Sequence, residues 1–147
     1  MPTVYTIGTT QKPLEKFICL LQQAEVDAIV DIRLRNTSQL AGYSKRDDLA
    51  FLLREGFGIE YEHRPELAPT AEIMDAFKKD KDFEAYEKAF LAVLAERDAT
   101  AIGRGLLSRL QRPCLLCAEP TPDGCHRRLV AEWWAERLPD VEVVHLI

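Results

Sequence analysis

CLLCAEPTPDGCHRR spans residues 114–128 and carries three structural signals in order. Leu115 and Leu116 lie between Cys114 and Cys117, in an apolar run that ends at Glu119. Pro120, Pro122, Asp123 and Gly124 then mark a turn-rich loop. Cys125, His126, Arg127 and Arg128 open an amphipathic helix. Buried strand, loop and helix N-terminus follow one another, and in open α/β sheets ligands bind at that junction. The first helical turn prefers acidic side chains, yet this one carries His126, Arg127 and Arg128. Glu119, Asp123 or a bound anion would offset that charge. Cys125 sits at the helix start beside cations, the setting that lowers a thiol pKa. The plainer reading has outward-pointing arginines and small core cysteines.

The rest of the chain sets the frame for this junction. At 147 residues it is expected to form a single α/β domain spanning 1–147. No apolar run reaches membrane-spanning length, so no membrane partner is expected. The N-terminus enters a strand pattern at once and lacks a signal-peptide layout. A cytoplasmic location with reduced thiols follows as the expectation. Cys114 and Cys117 are three apart on a strand and point to opposite faces, so that pair is not expected to share chemistry. Cys19 lies among Phe17, Ile18, Leu20 and Leu21 and reads as a core residue. The net charge of −5 argues against a surface that binds nucleic acid throughout. Arg104, Arg109, Arg112, Arg127 and Arg128 nevertheless crowd the segment 101–128, which suits a compact anion.

Strands and helices alternate from end to end. Val4–Gly8 reads as a first strand, followed by a helix with Leu14, Phe17, Ile18 and Leu21 on one stripe. Asp27–Arg33 is a buried strand whose Asp31 and Arg33 share a face. They either pair with each other or place Arg33 and Arg35 at the ligand edge. Ser44 starts a second helix that Gly56 ends, and Ile59–His63 is the third strand. Thr70 caps a short helix, Phe83–Leu94 marks a strong one, and Ile102–Leu110 a further helix weakened by Gly103 and Gly105. After the strand at Cys114, Leu129, Val130, Trp133, Trp134 and Leu138 form the last apolar helix face. Val141–Leu146 closes the chain. The expected fold is a three-layer α/β domain of Rossmann or flavodoxin type, with a mainly parallel five-stranded sheet in order 3-2-1-4-5.

Four segments, Tyr5–Thr9, Val30–Arg33, Pro65–Leu67 and Cys117–Glu119 through Cys125–Arg127, resemble the DUF488 family in order and spacing. The resemblance implies the same small α/β fold and a site around the C-A-E and C-H-R segments. It implies no reaction. The Asn36–Tyr43 loop departs from a common form of the family, in which further arginine and proline occur.

Three chemistries fit these residues. The first is a crevice of Gly8, Thr9, Arg33, Arg35, Cys117, Glu119, His126 and Arg127 that binds a small anionic ligand, such as a nucleotide or nucleic-acid fragment. Arginine forks and helix N-terminal amides recognise phosphate. No Walker or G-x-G-x-x-G motif is present. The second is thiol catalysis of rhodanese or phosphatase type, with Cys125, Glu119 and His126 as candidate catalytic residues. Pro120 and Pro122 lack the N–H groups that such a loop needs, and adjacent helical residues do not face each other. The third is a metal held by Cys117, Glu119, Cys125, His126 and His63, whose spacing fits no standard zinc pattern. The zinc-deaminase signature is absent too. Neither metal nor cofactor is expected, and all four thiols are expected free, with Cys125 the most reactive. A ligand-sensing module using the same crevice is the non-enzymatic alternative.

Overall fold

Buried parallel strands need helices over both faces, and the chain supplies them. A computed structural model describes residues 2–37, 39–118 and 125–147, without the side chains of residues 39–41. Among the described residues are five strands and six α-helices: β1 (Thr3–Gly8), α1 (Leu14–Gln23), β2 (Ala28–Asp31), α2 (Arg46–Phe57), β3 (Glu60–His63), α3 (Ala71–Asp80), α4 (Phe83–Glu96), α5 (Ala99–Arg109), β4 (Pro113–Cys117), α6 (His126–Arg137) and β5 (Glu142–Leu146). Short 3-10 turns cover Gln39–Ser44 and Pro65–Leu67.

Every strand pair is parallel, in the order β3-β2-β4-β1-β5. The expected order is thus corrected: β4 is the central strand, and it separates β1 from β2. Local pattern does not encode this choice. Both β1 and β4 are buried on two faces and read as apolar runs, so either could take the centre. The half-exposed β3 and β5 occupy the edges, where one flank needs no cover.

The side-chain alternation of each strand divides the core. Tyr5, Ile7, Ile29, Cys114 and Leu116 face α1 and α2, with Phe17, Leu21, Leu49 and Leu53. Val4, Ala28, Val30 and Leu115 face the other layer, with Phe90, Leu94, Leu106, Val130 and Trp134. Cys114 therefore lies under α1 and α2, as three-residue spacing on a strand requires.

Local signals account for most helix ends. Thr70 caps α3 as expected, its Oγ1 accepting from Ile73 N at 3.2 Å. Helix α2 departs from expectation at both ends. Its N-cap is Lys45, without a side-chain cap, and it runs past Gly56 to a left-handed Gly58 at φ 66°. Cys19 is exposed, not buried. The stripe of Phe17, Ile18 and Leu21 turns position 19 away from the sheet. Gly103 has a role beyond weakening α5. A Cβ there would lie 2.4 Å from Nε1 of Trp134, whose indole N–H donates to the Ala99 carbonyl at 2.8 Å. The missing side chain lets α5 and α6 close on that ring.

Candidate functional site

Register brings three strand ends together. Gly8 stands opposite Cys117, and Asp31 opposite both Leu116 and His63. Beyond the strands, Thr9 N donates to the Cys117 carbonyl at 3.2 Å and Thr10 N to the Ala118 carbonyl at 2.8 Å. Because β4 is central, its end at Cys117 lies between the ends of β1 and β2. The corrected order thus keeps the expected convergence, with β4 rather than β1 as its middle.

Asp31 organises the β2 side. Its carboxylate accepts from Arg33 Nε and Nη2, both at 2.8 Å, from Arg33 N at 3.0 Å and from Asn36 Nδ2 at 3.1 Å. The Tyr61 hydroxyl donates to it as well. Burial alone would raise this carboxyl, but the Arg33 fork outweighs it and holds the group below its ordinary value. Burial and the Asp31 charge together raise the Tyr61 phenol. The choice between an internal pair and a ligand-edge arginine is resolved for Arg33: it is buried and forked on Asp31, while still lining the surface above. Arg35 differs. Its side chain is 56% exposed, with one long ion-pair contact among the described residues, 3.5 Å to Asp75.

The β4–α6 side carries the thiols. Cys117 and Cys125 are both buried and are joined as a disulfide, which corrects the expectation that every thiol stands free. The strand end and the helix N-cap face each other across the loop, so the two sulfurs meet. His126 Nε2–H donates to the Ile32 carbonyl at 2.6 Å, leaving Nδ1 with its lone pair 4.0 Å from the Cys125 sulfur. Burial lowers the His126 pKa to about 4, so the ring is neutral near pH 7. Cys125 precedes the first helical residue with an extended backbone. The rule that helical neighbours diverge therefore does not govern this pair. Arg127 is fully buried; its Nη1 donates to the Cys117 sulfur at 3.2 Å and its Nε to Thr6 Oγ1 at 3.3 Å.

Two clefts open over these residues and share Arg33, Arg35 and Ala118. One adds Cys117, Cys125 and His126 to an apolar wall of Met74, Phe77 and Tyr86. The other, of about 660 Å³, is lined by Thr9, Thr10, Lys12 and Ser44. Lys12 is 7% exposed, and its ammonium has no hydrogen-bond partner among the described residues. Burial, then the Arg127 charge, lowers its pKa. Sequence reasoning passed over Lys12. The available signal was a cation in the short β1–α1 connection, at the carboxyl edge of the sheet.

Other expected residues fall elsewhere. Glu119 and Asp123 lie outside the described residues. His63 donates from Nε2 to the Arg33 carbonyl at 2.9 Å and is not grouped with the thiols. The arginine-rich run does not form one patch. Arg109 pairs with Glu62, and Arg112 bonds the Ala24 carbonyl and the Tyr5 hydroxyl. Both precede β4, which carries the chain to the opposite end of the sheet before Arg127. Arg128 pairs with Glu132 at 2.9 Å on the surface of α6.

No helix among the described residues is long and apolar enough to cross a membrane. Comparison with curated proteins and with solved structures finds no match. Residues 13–134, which hold β2, β3, β4 and both Cys117 and Cys125, match the family described as "Domain of unknown function DUF488". The chain belongs to the DUF488 family.

Proposed function

We propose that the carboxyl edge of the sheet binds a small anionic ligand, and that a nucleotide or nucleic-acid fragment is the class that fits. One observation carries this reading: Lys12 places a buried ammonium, without a hydrogen-bond partner among the described residues, in the cleft that Arg35 also lines. A buried cation without a partner is costly, and an anion would relieve that cost. Thr9 and Thr10 supply hydroxyls beside it, and Arg33 adds a guanidinium at the boundary between the clefts. A phosphate would sit there, with an aromatic base against Phe77 and Tyr86 in the adjoining cleft. Arg127 lines neither cleft. Its role in this reading is to hold Cys117 and Thr6 from beneath.

The test is a calorimetric titration with inorganic phosphate and with nucleoside mono- and diphosphates. Arg35→Ala should weaken nucleotide binding about tenfold or more, as loss of a charge-assisted hydrogen bond does. Lys12→Met should abolish phosphate binding while raising the melting temperature, because it removes an uncompensated buried charge. Absence of wild-type binding up to millimolar concentration would refute the reading.

A thiol-dependent reaction is the second reading, and the contact of Arg127 with the Cys117 sulfur favours it. A guanidinium at that distance stabilises a thiolate. Burial of both sulfurs limits it to substrates small enough to enter the aromatic cleft.

A further inference from the structure

The two sulfurs and the neighbouring imidazole form a donor set in their own right. Cys117 Sγ, Cys125 Sγ and a ring nitrogen of His126 all lie within 4.8 Å of one another. We propose that in the reduced protein these three residues bind a divalent ion of the zinc class at the base of the aromatic cleft.

Four observations support the assignment. First, two thiolates and an imidazole are a soft-to-borderline set that suits zinc and appears in catalytic zinc sites with an open fourth position. Second, the imidazole is already oriented. Its Nε2–H is committed to the Ile32 carbonyl, so Nδ1 keeps the lone pair that a metal needs. A backbone carbonyl behind a ligating histidine is the usual device for fixing its tautomer. Third, the Cα atoms of Cys117 and Cys125 are 7.3 Å apart, wider than the range of about 4.4–6.8 Å in which disulfides usually sit. Two thiolates at about 2.3 Å from one ion span that backbone separation readily. Fourth, all three residues line one cleft, so the remaining coordination position is open to a ligand that enters it. Arg127, at 3.2 Å from the Cys117 sulfur, then acts as a hydrogen-bond donor to a metal-bound thiolate.

The chemistry is balanced by protons. Reduction of the S–S bond adds two electrons and two protons, and ion binding releases the two thiol protons to solvent. Disulfide and metal are therefore mutually exclusive occupants of the same sulfurs. The site does not depend on the anion reading, since Lys12 and Arg35 take no part in it.

Cobalt(II) is the probe. The intact chain, reduced anaerobically with a phosphine, should take up one equivalent of Co²⁺. Sulfur-to-cobalt charge-transfer absorption and tetrahedral visible bands should appear, and Zn²⁺ should bleach them. Cys117→Ser and Cys125→Ser should each weaken uptake by more than about tenfold, while Cys19→Ser should leave it unchanged. Oxidised wild-type protein, which needs no substitution, should show no thiolate–cobalt band. The proposal is overturned if the reduced wild type takes up no Co²⁺ in the presence of excess ion. It is equally overturned if the oxidised protein gives the same spectrum, or if folded Cys117→Ser binds as tightly as wild type.

Discussion

Arg127 reaches the Cys117 sulfur from inside the protein, at 3.2 Å, and its Nε donates to Thr6 Oγ1 of the neighbouring strand at 3.3 Å. A fully buried guanidinium thus bridges α6, β4 and β1. Arg127→Ala removes the bridge and leaves a cavity. We expect a stability loss of about 3 kcal/mol, in the range for truncating large buried side chains. Arg127→Lys keeps the charge but not the fork, and should cost less. Urea denaturation of both variants measures this. A loss below about 1 kcal/mol for Arg127→Ala would show that the bridge is not structural.

Asp31 gives the fold an acid-sensitive point. Its folded-state pKa is depressed below the ordinary value of 3.8, because the Arg33 fork outweighs burial. The contribution is therefore complete above that value and is lost as the pH falls through the lower, folded value. Acid titration of wild type against Asp31→Asn should show this dependence only in the wild type. At pH 7 the variant should lose about 3–5 kcal/mol, as when one partner of a buried pair is removed.

Two glycines in one helix should respond in opposite senses. Gly103→Ala meets the Trp134 indole at 2.4–2.7 Å and should destabilise by about 1–3 kcal/mol, despite the gain in helix propensity. Gly105→Ala meets nothing within 4 Å and should stabilise by about 0.5–1 kcal/mol. Thermal melts of the two variants provide the comparison, and equal shifts would contradict the packing.

Thiol accessibility gives a fourth test. Alkylation with mass spectrometry should label Cys19 first, since it is exposed, and Cys114 last, since it is fully buried and burial raises its thiol pKa. Cys117 and Cys125 should become reactive only after reduction. This ranking replaces the expectation that Cys125 reacts first.

Local chemistry was readable from sequence where one short segment decides it. The Thr70 cap, the aromatic stripe of α4 and the Asp31–Arg33 pair depend on spacings of two to four residues. The place of β4 in the sheet depends on which of two equally apolar strands takes the centre, and no local spacing reports that. Cys19 has apolar neighbours in sequence but stands on the outer side of the helix. The stripe of Phe17, Ile18 and Leu21 already excludes position 19. The arginine run is near in the chain but not in space, because β4 spans the sheet between Arg112 and Arg127. At the site, the strand ends suggest one crevice around a central β1; with β4 central instead, Arg33, Cys117 and His126 line one cleft and Thr9 lines the other with Arg33. Lys12 was not legible, because burial of a lysine ammonium arises only once the Gln39–Ser44 turn and Tyr43 close over the β1–α1 connection, with the Tyr43 hydroxyl on the Lys12 carbonyl at 2.7 Å.

The position of β4 bears on how the protein is made. During synthesis, β1 and β2 emerge early but are not partners; each forms its ladder with β4, whose last residue is Cys117. Until that segment leaves the ribosome, the nascent chain can pair β2 only with β3, and β1 has no neighbour. Both edges of β1 and one edge of β2 therefore stay open through most of translation, the condition under which chains aggregate or recruit chaperones. Cys117 is the last residue of that strand, and Cys125 follows it by only eight residues, so both leave the ribosome with the segment that completes the sheet's centre.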